Sequence, residues 1–236
     1  SILPLLPHKQ VFRYKHIDVL KDITLTIPRG QMIGIIGENG SGKSTLLKLM
    51  AGLLVPTAGL ITLDGDQVTR RLTDKIVYQP DIDLFYENYT GEQVFQFYKK
   101  QFDDFSSDKA HIIASYLQVS TTEKLKKLSK GNRGRLKMAA TLGRETPFYI
   151  LDEPFAGLDP LAREALIKGL VRFVDLENQT IILSTHEVNE VEPVLDQVIL
   201  LRNGQVRAME ELELIRDERG EDAVQWMKSL YEKQVN

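Results

Sequence analysis

The sequence predicts an α/β fold: a mixed, largely parallel sheet with an antiparallel β part and an inserted helical subdomain. Three observations lead there. The runs "QMIGII" (31–36), "FYILD" (148–152) and "TIILST" (180–185) are continuously apolar up to their last residues, as in strands covered on both faces. Helical patterns fall between these runs, so the order is strand, helix, strand. From about residue 80 to 145 no convincing strand is legible, and amphipathic patterns take over.

The elements follow in order. "DITLTI" (22–27) alternates and stops at Pro28-Arg29-Gly30, which predicts a half-exposed antiparallel strand. A helix is expected from near Lys43 to Gly52. In the middle region, Thr90 and Gln93 have capping-box spacing ahead of "GEQVFQFYKKQF". "DKAHIIASYLQV" and "RGRLKMAATLGR" predict two more helices. Asp159-Pro160 supplies an N-cap residue followed by Pro at the first helical position. "QVILLRNGQVRA" reads as a hairpin turning at Asn203-Gly204. The tail, about 209–236, is expected to be helical, with Ala223, Trp226, Met227, Leu230 and Tyr231 on one stripe. That stripe either docks on the body or meets a partner.

Bulk composition sets limits on function. The chain has 236 residues with 42% hydrophobic content, enough for one large domain or one domain with an insertion. Its net charge of -3 gives no support for nucleic acid or anionic lipid as a partner. With no cysteine there are no disulfides and no thiolate metal sites. No apolar run reaches the ~20 residues needed to cross a bilayer. The opening "SILPLLPHK" lacks the positive n-region of a signal peptide. A cytoplasmic protein is the expectation.

The chemistry is concentrated in "GENGSGKST" (37–45), which sits between an apolar strand and an apolar helix. It satisfies G-x-x-x-x-G-K-[ST], the P-loop. Phosphate oxygens must come close to backbone N–H groups, and a Cβ would block them; Gly37, Gly40 and Gly42 leave the space open. The helix that follows turns its unpaired N–H groups and positive dipole end to the anion. Lys43 is placed to reach the β- and γ-phosphates, and the Ser44 hydroxyl suits Mg²⁺, a hard cation that prefers oxygen. Asn39, Ser41 and Thr45 complete the loop. Downstream, "FYILDEP" ends a strand in two acids. Asp152 is expected to hold Mg²⁺ and Glu153 to polarise the attacking water.

With "LSKGNRGR" (128–135) the chain resembles the ATP-binding subunits of ABC transporters, whose signature is usually L-S-G-G-Q. Ser129 and Gly131 match it; Lys130 and Asn132 depart from it. The resemblance covers nearly the whole chain and implies further roles. Gln79 in "VYQP" resembles the Q-loop glutamine, a contact to Mg²⁺ and water. Asp159 in "AGLDP" resembles the D-loop residue that reaches across a dimer, and His186 in "STHE" the switch histidine at the γ-phosphate. Tyr14 is placed as the aromatic that stacks on adenine, with Val19 packing on the nucleotide. The implied function is ATP hydrolysis with Mg²⁺ as cofactor. The implied partners are a second ATP-binding subunit, the same or different, whose signature loop closes the site, and a separate transmembrane subunit that places the protein on the inner face of the membrane.

Export is the direction implied, from "AGLLVPTAGLITLDG", "LDEPFAGLDP" and the short stretch after the last hairpin. A soluble, non-transport ABC ATPase is the alternative, and a subunit that binds ATP without hydrolysing it is a third reading, opposed by Glu153 and His186. Phe85, Tyr86 and Tyr89 either anchor the membrane partner or pack inside the subdomain. The basic run "EKLKKLSKGNRGRLK" has no interleaved aromatics. It reads as a solvated face, so no nucleic acid is expected.

Overall fold

The structure is a computed structural model. It describes residues 2–4, 12–14, 17–63, 66–69, 74–81 and 87–232, with the backbone alone at 2–4, 12–14, 17–18 and 231–232. A six-stranded sheet forms the centre, in the order β12-β11-β5-β10-β9-β8. These are β5 (Met32–Ile36), β8 (Ile76–Gln79), β9 (Phe148–Leu151), β10 (Thr180–Thr185), β11 (Gln197–Arg202) and β12 (Gln205–Glu211). The first five run parallel, and only β12 is antiparallel, folded back on β11. The connecting turn holds Asn203 and Gly204 at φ 50° and 74°, the left-handed pair that a tight hairpin needs.

Every residue of β5, β9 and β10 is buried, because both faces of the sheet are covered. Alternate residues point to opposite sides. Met32, Ile36, Tyr149, Leu151, Ile181 and Leu183 meet α4 (Lys130–Leu142), α5 (Pro160–Phe173) and the C-terminal helices. Ile33, Ile35, Phe148, Ile150 and Ile182 meet α1 (Lys43–Met50) and the antiparallel part. That part comprises β1 (Ile2–Pro4) paired with β4 (Thr26–Pro28), β2 (Phe12–Tyr14) paired with β3 (Ile17–Leu20), and β6 (Thr62–Leu63) paired with β7 (Asp66–Gln67). The strand expected over 22–27 is shorter than its pattern. Ile23, Leu25 and Ile27 alternate inward as predicted, but ladder pairing begins only at Thr26. Alternation reports burial, whereas a strand also needs a paired neighbour.

Between β8 and β9 lie α2 (Gly91–Gln101), α3 (Ser107–Tyr116) and α4. Thr90 caps α2 in both directions: its hydroxyl accepts from Gln93 N at 3.2 Å and its own N–H donates to Gln93 Oε1 at 2.9 Å. Removing the hydroxyl orphans a first-turn donor and costs ~1 kcal/mol. Thr90→Ala is expected to speed amide exchange in the first turn of α2 about fivefold, read by hydrogen exchange, without changing exchange in the central sheet.

A short α6 (Val188–Val191) follows β10, and after β12 come α7 (Leu212–Arg219) and α8 (Ala223–Glu232). The strand runs to Glu211, so the tail's helical part starts at Leu212 rather than near 209. The α8 stripe docks on the body, with Ala223 and Trp226 buried and Met227 and Leu230 packed beside them. Glu192 fixes its start by accepting from Ala223 N at 3.1 Å. Tyr231's side chain, like all of Phe85 and Tyr86, lies outside the described residues. Tyr89 packs against the apolar core.

Candidate active site

Because β5, β8, β9 and β10 are parallel, their carboxyl ends emerge along one edge. Ile36 stands opposite Thr185, and Gln79 opposite Leu151. The residues that follow these strands, including the 37–45 loop, Asp152, Glu153 and His186, are thereby brought together from across 150 residues of chain. Open α/β sheets bind ligands at this edge.

The loop has the form that close backbone approach requires. A Cβ on Gly37 would lie 2.3 Å from Leu201 O, so only glycine fits there. Gly42 caps α1 at φ 105°, a left-handed conformation costly for other residues. The first-turn N–H groups of α1 have no intrahelical acceptor. Ser41 Oγ is buried with no hydrogen-bond partner among the described residues, and a phosphate oxygen would supply one. Asn39, Gly40 and Ser44 are exposed beside it and Thr45 is half-buried. Val19 flanks the loop: its carbonyl would lie 3.5 Å from a Cβ on Gly42. Tyr14 belongs to β2, but its side chain lies outside those described.

The two acids divide the polar partners between them. Asp152 is 3% exposed. Its Oδ1 accepts from Ser44 Oγ at 3.0 Å and from Ser184 Oγ at 2.8 Å, and its Oδ2 accepts from Tyr78 OH at 3.1 Å. Burial, followed by the Asp152 charge, pushes the Tyr78 hydroxyl pKa well up, so it stays a donor. A buried carboxylate beside an exposed hydroxyl is an oxygen donor set that fits Mg²⁺, which takes one or two protein ligands and the phosphates.

Glu153 sits at φ 46°, a left-handed conformation uncommon for its type. Its N–H donates to Ser184 Oγ at 2.8 Å, and its Oε2 lies 2.9 Å from His186 Nδ1. Lys43 Nζ is 3.6 Å from Glu153 Oε1 and donates to Gly37 O and Glu38 O at 2.8 and 3.2 Å. The lysine, the glutamate and the histidine thus form one chain of contacts.

Three expected residues are engaged differently. Gln79 Oε1 accepts from Thr141 Oγ1 at 2.7 Å, and Lys137 donates to the next carbonyl, Pro80 O. The Thr141 bond uses one lone pair of Gln79 Oε1 and leaves the second for a metal or water. Ser129 caps α4, accepting from Asn132 N at 3.2 Å; capping uses a lone pair and leaves its proton free to donate elsewhere. Asp159 caps α5 through Ala162 N at 3.0 Å, and a Cβ on Gly131 would lie 3.5 Å from Asp159 Oδ2. Asp159 is therefore held by its own chain rather than extended from it, although it and Ser129 are both exposed. Lys130, a departure from the usual signature, rests its Nζ beside Gly157.

Sequence reasoning missed Ser184, Tyr78, Thr141 and Lys137. The first two had a legible signal, since each is one or two residues from a quoted motif residue. The last two sit in a helix whose facing partner only the tertiary structure reveals.

A cleft of about 580 Å³ runs from Ser44, Tyr78 and Asp152 to Tyr98, Phe102 and Arg144. Arg144 lies 3.7 Å from the centroid of the Phe102 ring and pairs with Asp104.

The family model described as ABC transporter matches residues 20–156. An energy-coupling factor transporter ATP-binding protein of Ligilactobacillus salivarius is 37% identical over 207 residues, spanning 80% of this chain and 71% of that protein. A solved ATP-binding subunit of an ABC transporter superposes with TM-score 0.82 at 28% identity, covering all of both chains. A dimeric ATP-binding cassette in a post-hydrolysis state, bound to ADP and Pi, shares the fold with TM-score 0.77 at 23% identity over 90% of this chain and 99% of that one.

Proposed function

Since the chain belongs to the ABC transporter family of ATP-binding proteins, we propose that it energises transport through a separate membrane subunit, with the residues at the strand ends in the following roles. It is an ATPase, and its family works as dimers with transmembrane components. The observation that carries the assignment is the meeting of the 37–45 loop with Asp152, Glu153 and His186 at one sheet edge.

The loop N–H groups and Lys43 hold the triphosphate, with Lys43 moving its charge from Glu153 to the phosphates. Ser41 Oγ donates to a phosphate oxygen. Ser44 and Asp152 would hold Mg²⁺, with Gln79 as a further oxygen donor, and the cation would supply charge that neutralises what develops on the phosphates. Glu153 accepts hydrogen from the attacking water, while His186 orients Glu153 and then meets the γ-phosphate. Tyr14 stacks on adenine and Val19 packs beside it. Catalysis of this kind is mostly positioning and charge stabilisation.

The exposed Ser129 and Asp159 and the half-buried Gly131 complete the site of a second subunit, so ATP holds two subunits together and hydrolysis releases them. The second subunit is either a copy of this chain or a related one. Among the described residues no helix is long and apolar enough to cross a membrane; in this reading the transport path lies in the separate membrane subunit. That chain docks in the cleft lined by Tyr98, Phe102 and Arg144. Export is the direction we propose, on the resemblance of "AGLLVPTAGLITLDG" and "LDEPFAGLDP" to export systems.

The test is co-purification from detergent-solubilised membranes, followed by reconstitution of the complex into vesicles. A membrane chain is expected to co-purify, and its presence to stimulate ATP hydrolysis. Substrate movement out of the compartment that holds ATP supports export, and the opposite movement replaces it with uptake. Recovery without any membrane chain would favour the soluble ATPase.

A further inference from the structure

The roles above give Asp152 to the metal but leave open what aims its carboxylate. Ser44 and Ser184 both donate to Oδ1, while Oδ2 accepts from the Tyr78 hydroxyl. The terminal torsion of an aspartate is broad. Rotation about Cβ–Cγ moves both oxygens together, so the two seryl bonds restrain the plane from Oδ1 and the Tyr78 bond adds the restraint on Oδ2, from the opposite side. We propose that Tyr78 is a positioning residue for Asp152: its hydroxyl fixes the carboxylate plane and thereby sets how tightly the site holds the divalent cation of the nucleotide. This rests on the assignment of Asp152 to the metal.

Three observations support it. The phenol and the carboxylate are carried by one rigid strand pair: Tyr78 stands opposite Ile150, and Asp152 N donates to Gln79 O at 2.8 Å. The direction of the bond is settled, because a carboxylate only accepts and a phenol is protonated at neutral pH. The third concerns the cation itself. A hydroxyl that ligates a cation uses a lone pair and keeps its proton to donate, so the Ser44 and Tyr78 bonds to Asp152 both persist with a cation present, and Tyr78 stays the donor on Oδ2. Tyr78 also lines the cleft assigned to the membrane chain, so a segment seated there meets the side chain that aims the metal ligand.

The test uses the full chain with a β,γ-imido analogue of ATP and Mn²⁺ as the probe, with free Mn²⁺ followed by electron paramagnetic resonance. Tyr78→Phe keeps the ring and deletes one oxygen. Partners behind a metal-ligating carboxylate are worth 10–100-fold in affinity when mutated, so Mn²⁺ binding is expected to weaken about tenfold. Affinity for the metal-free analogue and the thermal midpoint are expected to stay unchanged. Placing 4-aminophenylalanine at position 78 returns a donor to the same place and is expected to restore the affinity; a fold defect in Tyr78→Phe leaves this second variant to decide. Mn²⁺ affinity equal to or tighter than wild type in Tyr78→Phe overturns the proposal, as does an equal loss of metal-free binding. No Mn²⁺ binding by the wild-type complex overturns the Asp152 assignment itself.

Discussion

Lys43→Ala is expected to lower kcat/KM for ATP by about 10³-fold, the scale on which single charge-stabilising donors act in water-excluded sites. The loss combines two effects. The lysine side chain is 6% exposed and its ammonium reaches two loop carbonyls and Glu153, so it is already aimed along the loop where phosphates bind. Alanine removes the charge that meets the β- and γ-oxygens, and it releases Glu153 from its 3.6 Å partner. Both ATP binding, by calorimetry, and steady-state hydrolysis are expected to fall, because the contact exists in the ground state and strengthens in the transition state. Wild-type hydrolysis by this variant would remove the assignment of the loop.

Glu153→Gln is expected to slow hydrolysis by about 10³-fold, the range of a general base, while ATP still binds. Glutamine keeps the length, an oxygen and the backbone bond to Ser184, and it suits φ 46° no worse than glutamate does. What is lost is the carboxylate charge, and with it the proton acceptor and the ion pair with Lys43. The closed dimer of the wild-type protein destroys its own ligand; slowing that step lets the ATP-bound dimer accumulate by mass action. Size-exclusion chromatography of Glu153→Gln is expected to show a dimer with ATP and a monomer with ADP. Adding Ser129→Arg is expected to abolish the dimer but not nucleotide binding. Ser129 is exposed at the start of α4 and caps only Asn132, so arginine disturbs the partner contact more than its own fold. Equal dimer content with and without Ser129→Arg would separate the signature loop from the opposite site. An ATP-dependent dimer that forms only on adding a different ATP-binding chain would identify a heterodimer.

These two variants differ in how far the sequence alone could justify them. Lys43 belongs to a local motif. Nine consecutive residues specify the phosphate loop because the requirements are local: no Cβ at close approach, left-handed backbone at Gly42, and a helix start immediately after. The same locality made β5, β9 and β10, the Asn203-Gly204 turn and the Thr90–Gln93 cap legible, since each is written in neighbouring residues. Asp152, Glu153 and His186 could be named as strand-end residues for the same reason.

What their side chains touch was not local. Ser184 joins the two acids because β10 lies beside β9, and neither strand states its neighbour. Gln79 meets Thr141, and Lys137 meets Pro80 O, because α4 packs against the end of β8 across about 60 residues of chain, a distance over which no periodicity carries information. Asp159 caps its own α5 through Oδ1 because an N-cap carboxylate finds the helix N–H groups nearest. The sequence by itself therefore determined which chemistry this protein holds, through motifs whose physics closes within a few residues. The tertiary structure alone decided how those groups are aimed. Parallel pairing places distant strand ends side by side, and hydrogen bonds between them cost no more for being remote in sequence once the sheet has formed.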